Sequence, residues 1–169
     1  MEIIYFAKTK NDAKIPSKRI EDAGYDIYPC FDKDYMIIEP HSTVMIPAGI
    51  ASACSPDYAF ILKERGSTGT RGLGQRCGVI DSGYRGEWMI PITNVNDIPI
   101  CIYKNDVKMI DGIKMGSNSK ARIDYPYEKA ICQAILVPVP KTKIQELTFE
   151  QLLDIASERK DGKLGSSNK

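Results

Sequence analysis

Residues 77–88, CGVIDSGYRGEW, place a carboxylate and a phenol ring in one tight turn. Asp81 ends a short apolar run, and Tyr84 follows it among the turn residues. An Asp in such a turn bonds the backbone two residues on, so a structural role alone explains it. The functional alternative is an ionised carboxylate that faces a cavity and accepts a proton from water. Tyr84 would then form one wall of that cavity.

The segment 63–74, KERGSTGTRGLG, has the residue types of an anion-binding loop. It contains two arginines, four glycines and three hydroxyl side chains directly after an apolar segment. Glycines let backbone N–H groups converge on an anion, and arginine pairs with phosphate oxygens in a fork. No Gly-Lys-Ser/Thr follows, which excludes a nucleotide-binding P-loop. By itself the segment is also typical of a plain mobile loop.

Two polar residues interrupt apolar segments elsewhere. Gln133 opens the run QAILVPV, and its amide points either to solvent or to a polar site. Asp26, in AGYDIY, is either a turn-bonded or salt-bridged acid or a functional one. Both alternatives stay open on these patterns alone.

Short apolar segments separated by turn residues must position these side chains. Many short strands at close spacing predict an all-β barrel or sandwich. The predicted strands are Ile3–Ala7, Tyr25–Tyr28, Tyr35–Ile38, Thr43–Ile46, Ala59–Lys63, Cys77–Ile80, Gly86–Ile92, Ile98–Tyr103 and Ile131–Val137. One short helix is predicted after Thr148, with Gln151 completing a capping box and an apolar face that includes Phe149 and Leu152.

The length of 169 residues suits a single domain. We expect this domain to span 1–157, with a polar insertion at 104–127 and a flexible tail at 158–169. The net charge of +1, with interspersed signs, argues against nucleic acid as a partner. The N-terminus has an acid where a signal peptide has basic residues, and no apolar stretch is long enough to span a membrane. We therefore expect a cytoplasmic protein.

The five cysteines form no C-x-x-C pair, and we expect them to be reduced, buried thiols. With His41 as the single histidine, a multi-histidine metal site is excluded. A Ser-His-Asp triad built on His41 is not expected either.

Five segments, taken in order, resemble the five motifs of the homotrimeric dUTP pyrophosphatases, or dUTPases. They are AGYDIY (23–28), RGSTG (65–69), GVIDSGYRGE (78–87), ICQAILVP (131–138) and the glycine- and serine-rich tail from Gly162 to Ser167, GKLGSS. The resemblance implies a jelly-roll β-barrel and a homotrimer whose active sites are each built from all three subunits. It implies hydrolysis of dUTP to dUMP and pyrophosphate with Mg²⁺, which controls dUTP and supplies dUMP for dTMP synthesis. The enzyme would work in a bacterial cytosol, or in a host cytosol if a phage or virus encodes it.

The resemblance assigns the third motif to the nucleoside and the water. Asp81 matches the base that deprotonates the attacking water, and Tyr84 matches the residue that leaves no room for a 2′-hydroxyl. The backbone at Gly78 and Met89 would pair with the uracil edge. Further contacts to the nucleoside are implied for Gln75, Val79 and Ile80.

The remaining motifs are assigned to the phosphates and to a lid. Arg65, Gly66, Ser67 and Gln133 match the phosphate-binding residues. Asp26 would lie near Mg²⁺, at most through water, and no direct protein ligand is expected. The lid residues implied in the tail are Arg159, Leu164, Gly165, Ser166 and Ser167.

The sequence departs from the family pattern in three places. Arg-Gly-Ser replaces the usual Arg-Ser-Ser or Arg-Ser-Gly, so Ser67 or the Gly66 backbone must replace a hydroxyl. In the tail, Leu164 replaces a stacking aromatic and Lys160 a glycine, which should weaken lid closure by about 1 kcal/mol. The fourth motif has 128–130, Glu-Lys-Ala, in place of Gly-Asp-Arg. An active enzyme is still expected.

Two other functions remain as alternatives. The related dCTP deaminases need a glutamate where this chain has Pro91, so deamination would lack its general acid and base. The second alternative is a nucleotide-gated regulatory protein that docks a protein partner through the insertion 104–127.

Overall fold

The structure, a computed structural model, describes residues 2–105, 107, 109–110, 113–114 and 121–157. It is an all-β jelly roll, as predicted, with two short helices. The strands are β1 (Tyr5–Lys8), β2 (Gly24–Ile27), β3 (Tyr35–Ile38), β4 (Thr43–Pro47), β5 (Ile50–Ala53), β6 (Tyr58–Lys63), β7 (Leu73–Gln75), β8 (Val79–Asp81), β9 (Met89–Asn94), β10 (Ile100–Tyr103), β11 (Met109–Ile110), β12 (Ile113–Lys114), β13 (Ile123–Pro126) and β14 (Cys132–Pro138). The helices are α1 (Gly66–Gly69) and α2 (Phe149–Leu153).

The strands form a four-stranded sheet in the order β2-β14-β6-β8 and two three-stranded sheets, β13-β10-β3 and β4-β9-β7. Two strand pairs, β1-β5 and β11-β12, complete the described part. The four-stranded sheet is antiparallel throughout. It carries Asp26 on β2, Gln133 on β14 and Asp81 on β8, so one sheet positions three of the polar side chains singled out by sequence.

An aromatic cluster fills the core between the sheets. Trp88 is fully buried and packs edge-on against Phe6 and Phe60, with ring centroids 5.7 and 5.2 Å away. Its indole N–H donates to the Ser52 hydroxyl at 3.1 Å, which satisfies the one polar group it buries. Because Trp88 ends the CGVIDSGYRGEW segment, this cluster anchors that segment at its C-terminal end.

All nine predicted strands are present, with boundaries shifted by up to three residues. The prediction of a loop over 63–74 is wrong at two places, since α1 and β7 both lie within it. The strands β5 and β13 were also not predicted. Ile50–Ala53 consists mostly of small residues, and Ile123–Pro126 lies in the polar segment 104–127. In the latter, Tyr125 is fully buried and β13 pairs in parallel with β10, so long-range pairing outweighs local polarity.

The five cysteines are free thiols. Cys30, Cys101 and Cys132 are buried as expected, but Cys77 is exposed and Cys54 is half-buried, so the expectation of five buried thiols is wrong. Burial raises the pKa of the Cys30 thiol to about 11. Over the residues that the structure covers, no helix has the length and apolar character needed to cross a membrane.

The chain divides into two compact units, Met1–Val139 and Pro140–Lys169. Within the second unit, the predicted capping box is present. The Thr148 hydroxyl accepts from the Gln151 N–H at 3.2 Å, and the Gln151 side-chain carbonyl accepts from the Thr148 N–H at 2.9 Å. This reciprocal pair explains why a helix of five residues forms there.

Candidate active site

A cleft of about 900 Å³ gathers the residues predicted to bind phosphate. It lies where β2, β14 and the start of α1 meet, and we call it the phosphate cleft. Its lining includes Asp26, Arg65, Gly66, Ser67 and Gln133. Three separate motifs of the sequence are thus brought together as expected.

Arg65 is the most constrained side chain of the phosphate cleft. Its Nε donates to Asp26 at 2.9 Å and its Nη2 to the same carboxylate at 3.3 Å, a bidentate pair. Its Nη1 also donates to the Ala130 carbonyl at 3.4 Å. The Arg65 backbone N–H donates to the hydroxyl of buried Thr68 at 2.9 Å, which closes the first turn of α1. Most donors of the guanidinium are therefore already engaged by the protein.

Gln133 is fixed by two neighbours. Its side-chain amide donates to the Glu64 carbonyl at 2.9 Å. On its other side, a Cβ at Gly24 would lie only 2.7 Å from Gln133 Oε1. The glycine of AGYDIY is therefore required for close packing against the Gln133 amide.

Gly66 and Ser67 form the exposed start of α1. A Cβ at Gly66 would meet no atom within 4 Å, so the cleft has room for the serine that the family usually has there. The Ser67 hydroxyl is 3.5 Å from Arg65 Nη1 and remains exposed. Ser67 therefore presents an accessible hydroxyl beside Arg65, and the choice between it and the Gly66 backbone stays open.

Tyr125 lies next to the phosphate cleft and shares a hydrogen-bond acceptor with Arg65. Its place near the site was not predicted from the sequence. Its hydroxyl donates to the Ala130 carbonyl at 2.6 Å, the same oxygen that accepts from Arg65. Burial raises the pKa of the Tyr125 phenol above its usual value. The tyrosine lies in the segment 104–127, whose polarity gave no indication of a core residue.

Residues 78–89, which we call the hairpin, turn from β8 to β9 and border a second cleft, of about 470 Å³, which we call the nucleoside cleft. The two strands are not paired with each other, since β8 pairs with β6 in one sheet and β9 with β4 and β7 in another. Gly78, Val79, Ile80 and Met89 line it together with residues of β4 and β6, and their contacts with a nucleoside stay a prediction. A Cβ at Gly78 would lie 3.0 Å from the carbonyl oxygen of Leu62, whose N–H donates to the Gly78 carbonyl at 2.7 Å. Only glycine allows β6 and the hairpin to approach this closely.

Asp81 and Tyr84 stand at the exposed tip of this hairpin. Asp81 ends β8, and its carbonyl accepts from the Tyr84 N–H at 3.0 Å. Tyr84 is 45% exposed, and its hydroxyl donates to the Glu87 carbonyl at 3.1 Å. A Cβ at Gly86 would lie 2.4 Å from that hydroxyl, so this glycine lets the ring fold over the turn. The tip is ordered although it is exposed.

Gln75 does not belong to the described lining of the nucleoside cleft. Its side-chain amide donates to the Arg76 and Cys77 carbonyls at 2.8 and 3.2 Å. Its backbone N–H donates to the Glu64 carboxylate at 2.9 Å. Cys77 has a left-handed φ of 46°, and the Gln75 amide holds this strained turn from one side. The implied uracil contact of Gln75 stays a prediction.

Asp81 and the phosphate cleft lie at opposite ends of β6. Asp81 pairs with Ala59, whereas Gln133 pairs with Lys63. Four residues of an extended strand separate Ala59 from Lys63, which is about 13 Å. Within one chain, the carboxylate of the hairpin is therefore remote from the Arg65 cleft.

The acidic side chains near the phosphate cleft fit a magnesium ion that takes most of its ligands from the substrate and from water. Among the described residues, no group of three or more His, Cys, Asp and Glu side chains could hold a metal ion. Asp26, the acid closest to the phosphate-binding groups, is already paired with Arg65. Triphosphate oxygens and water would therefore supply most ligands, with Asp26 reaching the ion at most through water. The implied lid residues Arg159, Leu164, Gly165, Ser166 and Ser167 lie outside the described residues.

Comparison with known proteins agrees with the motifs. The dUTPase family model matches residues 11–107. The deoxyuridine 5′-triphosphate nucleotidohydrolase of Leptospira interrogans is 33% identical over 98 residues, which covers 56% of this chain and 67% of that protein. A mutant dUTPase of Staphylococcus bacteriophage 80alpha with dUpNHpp superposes with a TM-score of 0.74 at 22% identity, covering 98% of both chains. A mutant dUTPase of phage phi11 of S. aureus, with a structural Mg(II) ion, matches with a TM-score of 0.65 at 21% identity over 86% of this chain and 97% of that one. The chain belongs to the dUTPase family.

Proposed function

We propose that this protein is a dUTP diphosphatase, which hydrolyses dUTP to dUMP and pyrophosphate. The observation that carries the proposal is the hairpin of the third motif. Gly78, Val79 and Met89 border a largely apolar cleft, and an exposed carboxylate and tyrosine stand at the tip. A family member with this hairpin has both a slot for a pyrimidine nucleoside and a base beside it.

The reaction is an in-line displacement at the α-phosphorus. Asp81 orients a water molecule and takes its proton while the new P–O bond forms and the bond to the bridging oxygen breaks. The pyrophosphate leaves with the bond electrons. A carboxylate is a weak base, so most of the acceleration comes from positioning and charge neutralisation. Bound Mg²⁺ would add to that neutralisation on the phosphate oxygens.

The phosphate cleft supplies the protein's share of this neutralisation. Two hydrogen bonds to Asp26 fix the orientation of the Arg65 guanidinium. The N–H group that it has left for a phosphate therefore needs no reorientation when substrate binds. Ser67 and Gln133 add neutral donors. The arrangement is suited to a chain of phosphate groups, because donors from α1 and β14 line one continuous cleft.

Selection for the deoxyribose and for uracil falls to the hairpin. Tyr84 would pack under the sugar and exclude a 2′-hydroxyl, while backbone groups at Gly78 and Met89 would read the base edge. The ring of Tyr84 is held by the Glu87 carbonyl, so it acts as a fixed wall. Rejection of UTP then rests on shape.

We further propose a homotrimer with active sites shared between subunits. The separation of about 13 Å along β6 supports this, since one chain does not bring Asp81 to its own phosphate cleft. A hairpin from a neighbouring subunit would complete each site. The exposed apolar side chains at the hairpin, including Val79 and Met89, would lie against that neighbour.

Deamination of dCTP is not favoured by the nucleoside cleft. Its described lining contains Pro91 and no carboxylate, so a general acid for the amino group is missing there. The docking of a protein partner through 104–127 stays a hypothesis, because part of that segment lies outside the described residues.

Pyrophosphate release from dUTP, UTP, dCTP and dTTP, measured side by side with Mg²⁺ and with EDTA, tests the proposal. We expect strong preference for dUTP, loss of activity in EDTA and no ammonia from dCTP. Equal turnover of UTP and dUTP would contradict the role of the hairpin. Ammonia release from dCTP would replace the proposed activity by deamination.

A further inference from the structure

The phosphate cleft is lined by three cationic side chains among the residues that the structure describes: Lys18, Arg19 and Arg65. Two of them are already neutralised. Arg65 forms a bidentate pair with Asp26, and Arg19 forms one with Asp22 through Nε at 3.0 Å and Nη2 at 2.9 Å. Only the third cation of this described lining, Lys18, has no carboxylate partner.

The position of Lys18 is built into the fold. The Asp26 N–H donates to the Ser17 carbonyl at 3.0 Å, which joins the preceding segment to the edge of β2. The Lys18 ammonium donates to the Asp22 carbonyl at 2.6 Å and lies 5.5 Å from the Tyr25 ring centroid. These two contacts hold the ammonium at the rim of the cleft. The acids Glu21 and Asp22 also line the cleft, and the Asp22 carboxylate feels the lysine charge, but neither of them forms an ion pair with Lys18.

Strand pairing sets the place of Lys18 along the cleft. Lys63 pairs with Gln133, Gln133 with Asp26, and Asp26 with Ser17, so these residues form one row across the sheet. Three strand spacings separate the ends of the row, about 14 Å. Arg65 follows β6 at one end, but its guanidinium reaches across the row to Asp26. Lys18 follows Ser17, which lies one strand spacing, about 5 Å, beyond Asp26.

We propose that Lys18 binds the terminal phosphate group of the substrate and so helps the protein to select triphosphates over monophosphates. The inference rests on the proposed function, in which Arg65, Gly66 and Ser67 hold the phosphates nearer the reacting phosphorus. A nucleoside triphosphate bears a large negative charge, and the described lining without Lys18 offers only paired cations. An ammonium without a paired carboxylate, beyond the Arg65–Asp26 pair, complements the distal phosphate.

The test compares wild type with Lys18→Ala, Lys18→Arg and the control Lys8→Ala. Lys8 is matched because its ammonium also donates to a backbone carbonyl, that of Asn11 at 3.3 Å, and it does not line the cleft. Binding of inorganic triphosphate and of dUMP, each with Mg²⁺, is measured by calorimetry. The KM and kcat for dUTP are measured in parallel.

We expect Lys18→Ala to weaken triphosphate binding about fivefold to tenfold, as loss of a charge-assisted hydrogen bond does. Binding of dUMP should be unchanged, KM for dUTP should rise by the same factor, and kcat should be kept. Lys18→Arg should restore most of the affinity, and Lys8→Ala should match wild type.

Equal weakening of triphosphate and dUMP would show a merely structural role and overturn the inference. Unchanged triphosphate binding in Lys18→Ala, or no triphosphate binding by wild type, would overturn it as well. If wild type does not hydrolyse dUTP but the triphosphate effect is found, the proposed function fails and the role of Lys18 stands.

Discussion

The two clefts of this protein differ in how complete they are. In the phosphate cleft, Arg65 has protein partners on three sides, and Gln133 is held between the Glu64 carbonyl and Gly24. At the hairpin, by contrast, Asp81 is exposed and Tyr84 has a single side-chain hydrogen bond. One half of the proposed active site is assembled inside the subunit, and the other half projects from it.

This difference suits two separate roles, phosphate binding in the phosphate cleft and contact with the nucleoside and water at the hairpin. Binding a polyanion needs preorganised donors, and a network satisfied within one chain provides them without reordering. In the proposed homotrimer the hairpin carries groups that reach a neighbouring subunit's cleft, so that proposal accounts for their exposure. Gly78 allows close approach to the β6 backbone, and Gly86 allows close approach of the Tyr84 ring.

The largest effect is expected from Asp81→Asn. The amide keeps the size of the side chain but accepts no proton, so kcat should fall about 1,000-fold while dUTP binding is kept. Single-turnover kinetics and calorimetry measure the two quantities. Asp34→Asn, a change of an exposed acid outside both clefts, is the control. A variant with near-normal kcat would remove Asp81 from the role of base.

A smaller effect is expected from Gly78→Ala. The added methyl would lie 3.0 Å from the Leu62 carbonyl oxygen, so the hairpin must shift away from β6. We expect KM for dUTP to rise about tenfold, since the misplaced backbone no longer fits the base edge. Gly83→Ala is a matched control, because a Cβ there meets no atom within 4 Å. If both variants behaved alike, close approach at Gly78 would be irrelevant to binding.

The smallest effect, and the only gain, is expected from Gly66→Ser. The open space at Gly66 admits the side chain, and the hydroxyl would add a donor for the phosphates. We expect kcat to rise about threefold, within the range of one added hydrogen bond in the transition state. Gly69→Ser, on the same short helix, serves as control, since its Cβ would make only an ordinary contact with Glu64. A loss of activity in Gly66→Ser would mean that the glycine itself is needed.

Much of the fold could be predicted because turn residues punctuate the sequence. The nine predicted strands were all found. Residues of four motifs line the two clefts, but their roles in binding stay predictions. The short strand β5 was missed because Ile50–Ala53 shows no polar and apolar alternation. β13 was missed because the burial of Tyr125 depends on a strand 23 residues away in sequence, as the pairing of Ile102 with Tyr125 shows.

Side-chain direction was the least predictable property of the site. From the sequence, Gln75 was expected at uracil, but its amide is directed to the Arg76 and Cys77 carbonyls. The pairing of Arg65 with Asp26 depends on a register between distant strands, so no local pattern could reveal it. The same register places Lys18 at the phosphate cleft.

Mixing two inactive variants tests most directly the claim that Asp81 and Arg65 of one active site come from different subunits. Asp81→Asn lacks the base and Arg65→Ala lacks the phosphate clamp, and each alone should be inactive. Unfolded together in equal amounts and refolded, they should recover about one quarter of wild-type activity, because every mixed trimer holds one site with both halves intact. Activity no higher than that of either variant alone would mean that both halves act within one chain, and would contradict the shared site.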